Sequence, residues 1–282
     1  MRYQLLVLCY YSGNIWLFYM IQDKPYHPRK RFGQNFLRDE RVIDRIANAI
    51  AAREEDHLVE IGPGRGALTE ALVTSGCRLD VVELDRDLEP GLLAAFSIYP
   101  TFRLHSEDAL RFDFASLAGE GEQLRVVGNL PYNISTPLIF KLLDNAAIIR
   151  DMHFMLQLEV VERLAARPGS KAWGRLGIMA QYRCQVEHLF NVPPEAFYPP
   201  PKVQSAIVRL TPRQEMPWEP CDEVQLRQVV QAAFAQRRKT LRNNLKGLID
   251  STGLETLGVD PGARAETLEL ADFIKIANAV HG

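Results

Sequence analysis

Cysteine is scarce: the chain has four in 282 residues, and no two stand in a C-x-x-C pair. That excludes a disulfide framework and a zinc site of paired cysteines, and the six histidines add no metal-ligand spacing. No metal is expected. A strong charge of either sign is also lacking. With 33 Lys and Arg against 35 Asp and Glu the net charge is -2, so any nucleic-acid surface must be local. There is no internal repeat and no low-complexity tract. Apolar runs are short. Leu5 to Tyr11 and Ile15 to Tyr19 are interrupted by Ser12-Gly13-Asn14, only Arg2 precedes them as a positive charge, and no A-x-A-like cleavage site follows. The stretch barely reaches the roughly 17 residues of the shortest spanning helix, so it fits neither an anchor nor a signal peptide. The composition reads as a cytoplasmic protein with no membrane partner. Residues 1 to 22 are read as an extra, non-native segment, with translation starting at Met20 before the polar Gln22-Asp23-Lys24.

At this length, and with 47% hydrophobic residues, the chain can bury one large core and a small second domain. From about residue 24 to 210, apolar β-rich runs alternate with helical patterns, as in a parallel-sheet α/β domain. Strands are predicted to end near Ile61, Glu83, His105, Gly128, Gln157 and Phe190, with Ala206 to Leu210 as the last. Thr211 to Pro220, rich in proline, breaks both periodicities and reads as a linker. Beyond it only helical periods occur.

The most informative stretch is Val126-Val127-Gly128-Asn129-Leu130-Pro131-Tyr132. A buried strand that meets a proline must leave the sheet, since proline cannot donate to the ladder and forces its predecessor to be extended. Freed carbonyls of Leu130 or Pro131, with the Asn129 side-chain oxygen, can accept both hydrogens of an exocyclic base amine. Tyr132 offers a face for stacking. Upstream, Leu58-Val59-Glu60-Ile61 runs into Gly62-Pro63-Gly64-Arg65-Gly66-Ala67, a strand, glycine loop and helix start that brings backbone close to a ligand. The following strand ends in Glu83, where α/β nucleotide folds bind ribose hydroxyls. Gly62, Gly64 and Ala67 equally satisfy the G-x-G-x-x-G/A pattern of NAD-binding enzymes, so the loop alone leaves the cofactor open.

Two further features bear on a substrate. Val230, Phe234, Leu241, Leu245 and Leu248 recur at helical spacing and should face a core. On another face of the same helix Arg238, Arg242 and Lys246 stand four apart beside Arg237 and Lys239, a basic stripe suited to phosphates; Arg29-Lys30-Arg31 is a second cluster near the glycine loop. The loop Pro193-Pro194-Glu195-Ala196-Phe197-Tyr198-Pro199-Pro200-Pro201-Lys202-Val203 is stiffened on both sides and holds an aromatic, Phe197, outside regular structure.

Taken in order, Arg29 to Leu37, Val59 to Leu72, Val82 to Arg86, Ser106 to Ala109, Gly128 to Pro137, Met152 to Gln157, Pro193 to Leu210 and Ala235 to Asn243 resemble the KsgA-type rRNA adenine dimethyltransferases. The resemblance covers about residues 25 to 282. It implies a Rossmann-like class I α/β methyltransferase sheet over residues 23–212, with S-adenosyl-L-methionine as cofactor, and a small all-helical rRNA-binding domain over 213–282. Asn35 and Leu37 would close over the methionine side, Gly62 and Gly64 would admit the cofactor, Glu83 would hold its ribose and Asp108 its adenine amine, with Asn129 also in contact. Asn129, Leu130, Pro131 and Tyr132 would act on the target base, Phe197 would face Tyr132 across it, and Arg237, Arg238, Lys239, Arg242 and Lys246 would hold the RNA. The implied reaction puts two methyls on each of two adjacent adenosines in the hairpin near the 3′ end of small-subunit (16S) rRNA, within a pre-30S particle, by a monomer acting in ribosome biogenesis. Three alternatives remain at this point: a relative that methylates one adenine of large-subunit rRNA, a non-catalytic RNA-binding assembly factor, and a dinucleotide oxidoreductase.

Overall fold

The computed structural model describes residues 8–11, 14–17 and 34–280. Met20 and the Arg29-Lys30-Arg31 cluster lie outside the described residues. A short antiparallel pair, β1 (Leu8–Tyr11) and β2 (Asn14–Leu17), precedes the main body.

The main sheet has seven strands in the order β6-β5-β4-β7-β8-β11-β9: β4 His57–Ile61, β5 Arg78–Glu83, β6 Phe102–Ser106, β7 Leu124–Asn129, β8 Ile149–Gln157, β9 Cys184–Val192 and β11 Ser205–Pro212. The strand ends read from the sequence all fall within two residues of these boundaries. β4, β5, β6, β7 and β8 pair in parallel, whereas β11 is antiparallel to both β8 and β9. The sheet is thus mixed rather than wholly parallel. β9 turns back through the proline-rich loop and β11 slots beside it, a direct return that parallel pairing does not permit without a crossover.

Helices cover both faces. On one lie α1 (Glu40–Ile50), α2 (Ala67–Val73) and α3 (Glu89–Phe96), packing Ile46, Leu72 and Leu92 against Leu58, Leu79 and Val127. On the other lie α4 (Ser135–Asp144), α5 (Leu158–Leu164) and part of α6 (Arg175–Arg183), packing Leu138, Leu142 and Val161 against Val59, Val126 and Phe154. β4 is buried at every residue, as a central strand covered on both faces should be. The strand order reverses between β4 and β7, which opens a crevice at their carboxyl ends.

At the opposite end an ion network anchors α1. Arg125 donates to Asp56 (2.8 Å), to Asp151 (3.0 Å) and to the Ile50 carbonyl at the end of α1 (2.7 Å). The N-terminus of α1 is capped by Asp39, whose carboxylate accepts from the Arg41 and Val42 amides. Just ahead of it β3 (Phe36–Leu37) pairs antiparallel with β10 (Phe197–Tyr198), and Arg38 N–H donates to the Ala196 carbonyl at 2.9 Å. The strap 34–37 is therefore held from both sides.

The C-terminal helices are α7 (Glu223–Ala233), α8 (Leu241–Asn244), α9 (Ser251–Thr256) and α10 (Leu270–Val280). Their core continues into residues 166–182. Trp173, Ile178, Met179 and Tyr182 pack with Leu226, Val230, Leu241 and Phe273, and Trp173 Nε1 donates to the Leu268 carbonyl at 2.9 Å. The predicted single helix bearing the basic stripe is corrected. α7 ends at Ala233, Arg237, Arg238 and Lys239 lie in a turn, and only Arg242 sits on α8. Where α7 stops, Asn244 Nδ2 donates to the Ala233 and Gln236 carbonyls (2.6 and 3.1 Å) and satisfies acceptors that the helix leaves open. The apolar spacing still finds a core: Val230, Leu241 and Leu245 are buried, Phe234 and Leu248 half-buried.

Candidate active site

A cleft at the carboxyl ends of β4, β5 and β7 is lined by Asn35, Leu37, Gly62, Gly64, Glu83, Asp108, Asn129, Leu130, Pro131 and Tyr132. These are the ten cofactor and base-binding positions expected from the sequence other than Phe197. They come from five separate segments, so it is the sheet that unites them.

The glycine loop explains itself geometrically. Gly62, Gly64 and Gly66 have φ of 67°, 61° and 84°, the left-handed region where a side chain is strained. The Gly62 amide donates to the Val82 carbonyl at 2.9 Å, tying the loop to β5. At Gly66 a Cβ would fall 2.4 Å from Phe96, so this glycine serves packing as well as conformation.

Glu83 closes β5 and is buried. Its Oε2 accepts from the Gly64 amide at 3.2 Å and its Oε1 from the Asp85 amide at 2.8 Å. Burial pushes its carboxyl above the ordinary range, and those two amide bonds work against the shift. Asp108 accepts from the Leu110 amide through Oδ1 at 2.9 Å, which caps the turn after β6 and leaves Oδ2 for a ligand amine.

At the end of β7, Asn129 Nδ2 donates to the Asn35 carbonyl at 3.0 Å. That bond orients the amide and leaves Oδ1 as the acceptor for an amine. Of the two backbone carbonyls weighed from the sequence, Pro131's already accepts from the Ile134 amide at 3.2 Å, in the turn that starts α4. Among the described residues the Leu130 carbonyl has no such bond, which favours it as the second acceptor; the Leu130 amide is fixed to the Met155 carbonyl at 3.2 Å. The Tyr132 hydroxyl lies 3.3 Å from Ser205 Oγ, which steadies the ring edge.

Phe197 is a correction. It is 1% exposed, packs with Val192, Ala196, Met155 and Ile207, and is not among the residues that line the cleft. Pairing of β10 with β3 sets the alternation, turning Phe197 inward and Tyr198 outward, so the expected ring pair across the cleft is not formed. Arg237, Arg238, Lys239, Arg242 and Lys246 are all exposed, and Arg237 Nη2 donates to the Lys171 carbonyl at 2.6 Å.

Sequence reasoning assigned no role to Glu60 or Gln34, though both line the cleft. Glu60 is 2% exposed on β4. Burial raises its carboxyl from 4.5 to about 7; the Thr69 hydroxyl, donating to Oε2 at 2.6 Å, opposes the shift, and the neighbouring Glu83 adds to it. A carboxylate inside the apolar run Leu58 to Ile61 was the available signal. Gln34 Nε2 donates to Asp85 at 3.0 Å, joining the strap to the loop after β5. With Glu60, Glu83, Glu107 and Asp108 among its lining residues, the cleft offers acceptors to a ligand that carries positive charge and hydrogen-bond donors.

Comparison with known proteins agrees with this chemistry. The family described as ribosomal RNA adenine dimethylase matches residues 26–281. A protein of Pseudomonas aeruginosa named ribosomal RNA small subunit methyltransferase A is 64% identical over 250 residues, 89% of this chain and 93% of that relative. Its namesake from Pseudomonas savastanoi pv. phaseolicola is 60% identical over 261 residues, 93% and 97% of the two chains. Among solved structures, a dimethyladenosine transferase from Plasmodium falciparum superposes with a TM-score of 0.72 at 25% identity, covering 86% of this chain and 95% of that one. The 23S rRNA methyltransferase ErmE gives 0.70 at 26% identity, covering 88% and 100%.

Proposed function

Since the chain belongs to the ribosomal RNA adenine dimethylase family, we propose that its cleft holds the methyl donor against Glu83 and Asp108 and the target adenine against Asn129, Leu130 and Tyr132. The protein is an S-adenosylmethionine-dependent methyltransferase that dimethylates adenines of small-subunit rRNA. The proposed targets are two adjacent adenosines of the 3′-terminal hairpin. A pre-30S particle as substrate, action as a monomer and a cytoplasmic location belong to the same reading.

The observation that carries the site assignment is the Asn129 amide. Its nitrogen is engaged by the Asn35 carbonyl, so its oxygen is the group presented to an amine. S-adenosylmethionine, when bound, supplies a methyl on a sulfonium that is electrophilic without further activation. What the chain must overcome is the poor nucleophile, because the exocyclic nitrogen of adenine shares its lone pair with the ring. Asn129 Oδ1 and the Leu130 carbonyl accept the amine hydrogens, favour a more tetrahedral nitrogen and stabilise its developing positive charge. Tyr132 holds the ring plane. No side chain is required as general base before transfer, because the proton becomes acidic once the nitrogen carries the methyl. For the second methyl, the remaining hydrogen must face the same acceptors.

Unmethylated small-subunit particles and large-subunit rRNA, each incubated with the protein and labelled S-adenosylmethionine, test the reading by nucleoside mass spectrometry. Dimethyladenosine at two adjacent positions of the 3′ hairpin is expected. Labelled large-subunit rRNA with unlabelled small-subunit rRNA would overturn it.

A further inference from the structure

Tyr198 is the only aromatic among the fully exposed large apolar side chains of the described residues, with 60% of its surface open to water. It is presented rather than loose. Its backbone pairs with Phe36 in the β10–β3 ladder, and Phe36, with Asn35 and Leu37, forms one wall of the cleft. Phe197, the residue before it, is buried at 1% exposure, and Pro199, Pro200 and Pro201 follow, so the chain on either side has little freedom left to lose. Lys202, exposed just past the prolines, places a positive charge on the same loop. An isolated exposed ring on a mobile loop would need no explanation; a ring fixed to the strand that forms one wall of a cleft is a preorganised platform.

An RNA strand with one adenosine drawn into the cleft must carry its neighbouring nucleotide out past one of the cleft's walls, and the Phe36 wall is the one that Tyr198 adjoins. Single-stranded nucleotides bind by stacking on aromatic faces, with cationic side chains on the phosphates. We propose that Tyr198 stacks on the base next to the adenosine being methylated, while Lys202 meets its phosphate. This rests on the rRNA reading above and adds a hold on the substrate outside the reacting centre. Tyr198 acts on substrate affinity and leaves the methyl transfer to Asn129 and Leu130.

Steady-state kinetics on unmethylated small-subunit particles test this with the wild type, Tyr198→Ala and Tyr198→Phe, alongside the equilibrium affinity of each for S-adenosylmethionine. Tyr198→Ala should raise KM for the particle by roughly 5- to 150-fold, the worth of one base–aromatic stack, with kcat and cofactor affinity kept. Tyr198→Phe keeps the face and should match the wild type. Stacking is overturned by an unchanged KM in Tyr198→Ala, by an equal loss in Tyr198→Phe, or by a loss confined to kcat or to cofactor affinity. An inactive wild type would overturn the rRNA reading and this proposal together, whereas an active wild type with an indifferent Tyr198→Ala overturns the stack alone.

Discussion

Replacing Glu60 by Gln should change the pH dependence of stability by a definite amount. Glu60 is buried on β4, and its folded carboxyl titrates at about 7 against 4.5 for the free side chain, burial being the largest cause. Between those values the unfolded chain gives up a proton that the folded protein keeps. The stability associated with the protonated form is therefore fully present below pH 4.5 and is lost as pH rises through about 7. The difference is 7 minus 4.5, or 2.5, which at roughly 1.4 kcal/mol per pH unit amounts to about 3.5 kcal/mol in full, of which most falls between pH 4.5 and 8. Gln carries no charge and keeps an oxygen to accept from Thr69. The stability of Glu60→Gln minus that of the wild type should thus climb by about 3 kcal/mol from pH 4.5 to 8. Urea unfolding of both proteins across that range measures it, and subtracting one curve from the other cancels the titrating groups that are not coupled to Glu60, as Glu83 is. A difference that stays flat refutes the reasoning. Because Glu60 lines the cleft, a bound cation favours its charged form, so wild-type affinity for S-adenosylmethionine should rise with pH through 7 and that of Glu60→Gln should not.

Asn129→Ala removes one amine acceptor, and kcat should fall by about 2.7–4 kcal/mol in transition-state stabilisation, with cofactor affinity nearly kept; single-turnover methyl transfer reads this, and near-normal turnover would remove Asn129 from the chemistry. Replacing Arg238, Arg242 and Lys246 together with Ala should weaken particle binding and lower the log–log salt slope by roughly 0.7 to 0.9 for each phosphate that is no longer neutralised; an unchanged slope would make this surface merely solvated. Gly66→Ala combines a left-handed backbone, costing about 1–2 kcal/mol, with overpacking against Phe96, costing about 1–3 kcal/mol, so both melting temperature and cofactor affinity should drop. Wild-type stability in that variant would contradict the placement of the loop against α3.

Much of this protein was legible along the chain because its signals are local. Pro131 stops a buried strand wherever that strand lies, the glycines of 62–66 demand a sharp turn, and alternating apolar runs with helical periods between them allow few arrangements other than a layered α/β sheet. The order of the motifs carried the family and the cofactor, and ten of the positions named for the cofactor and the base do line one cleft. What only the tertiary structure decided depends on partners distant in sequence. Phe197 and Tyr198 are both aromatic and both sit in the same proline-rich loop; pairing with β3, some 160 residues earlier, turns one into the core and the other to solvent. A basic run at helical spacing is broken into a turn and a short helix, and Asn244, from further along the chain, reaches back to two carbonyls that a continuing helix would have used itself. A turn amide at Ile134 occupies the Pro131 carbonyl, and this favours the Leu130 carbonyl as the proposed acceptor. Glu60 looks in sequence like any acid in a strand, and it becomes a group titrating near neutrality because burial shuts out water and the charge of Glu83 stands beside it. Local stereochemistry dictated where the chain must bend and which faces are apolar; burial, which belongs to the packed whole, dictated which polar groups are left with something to do.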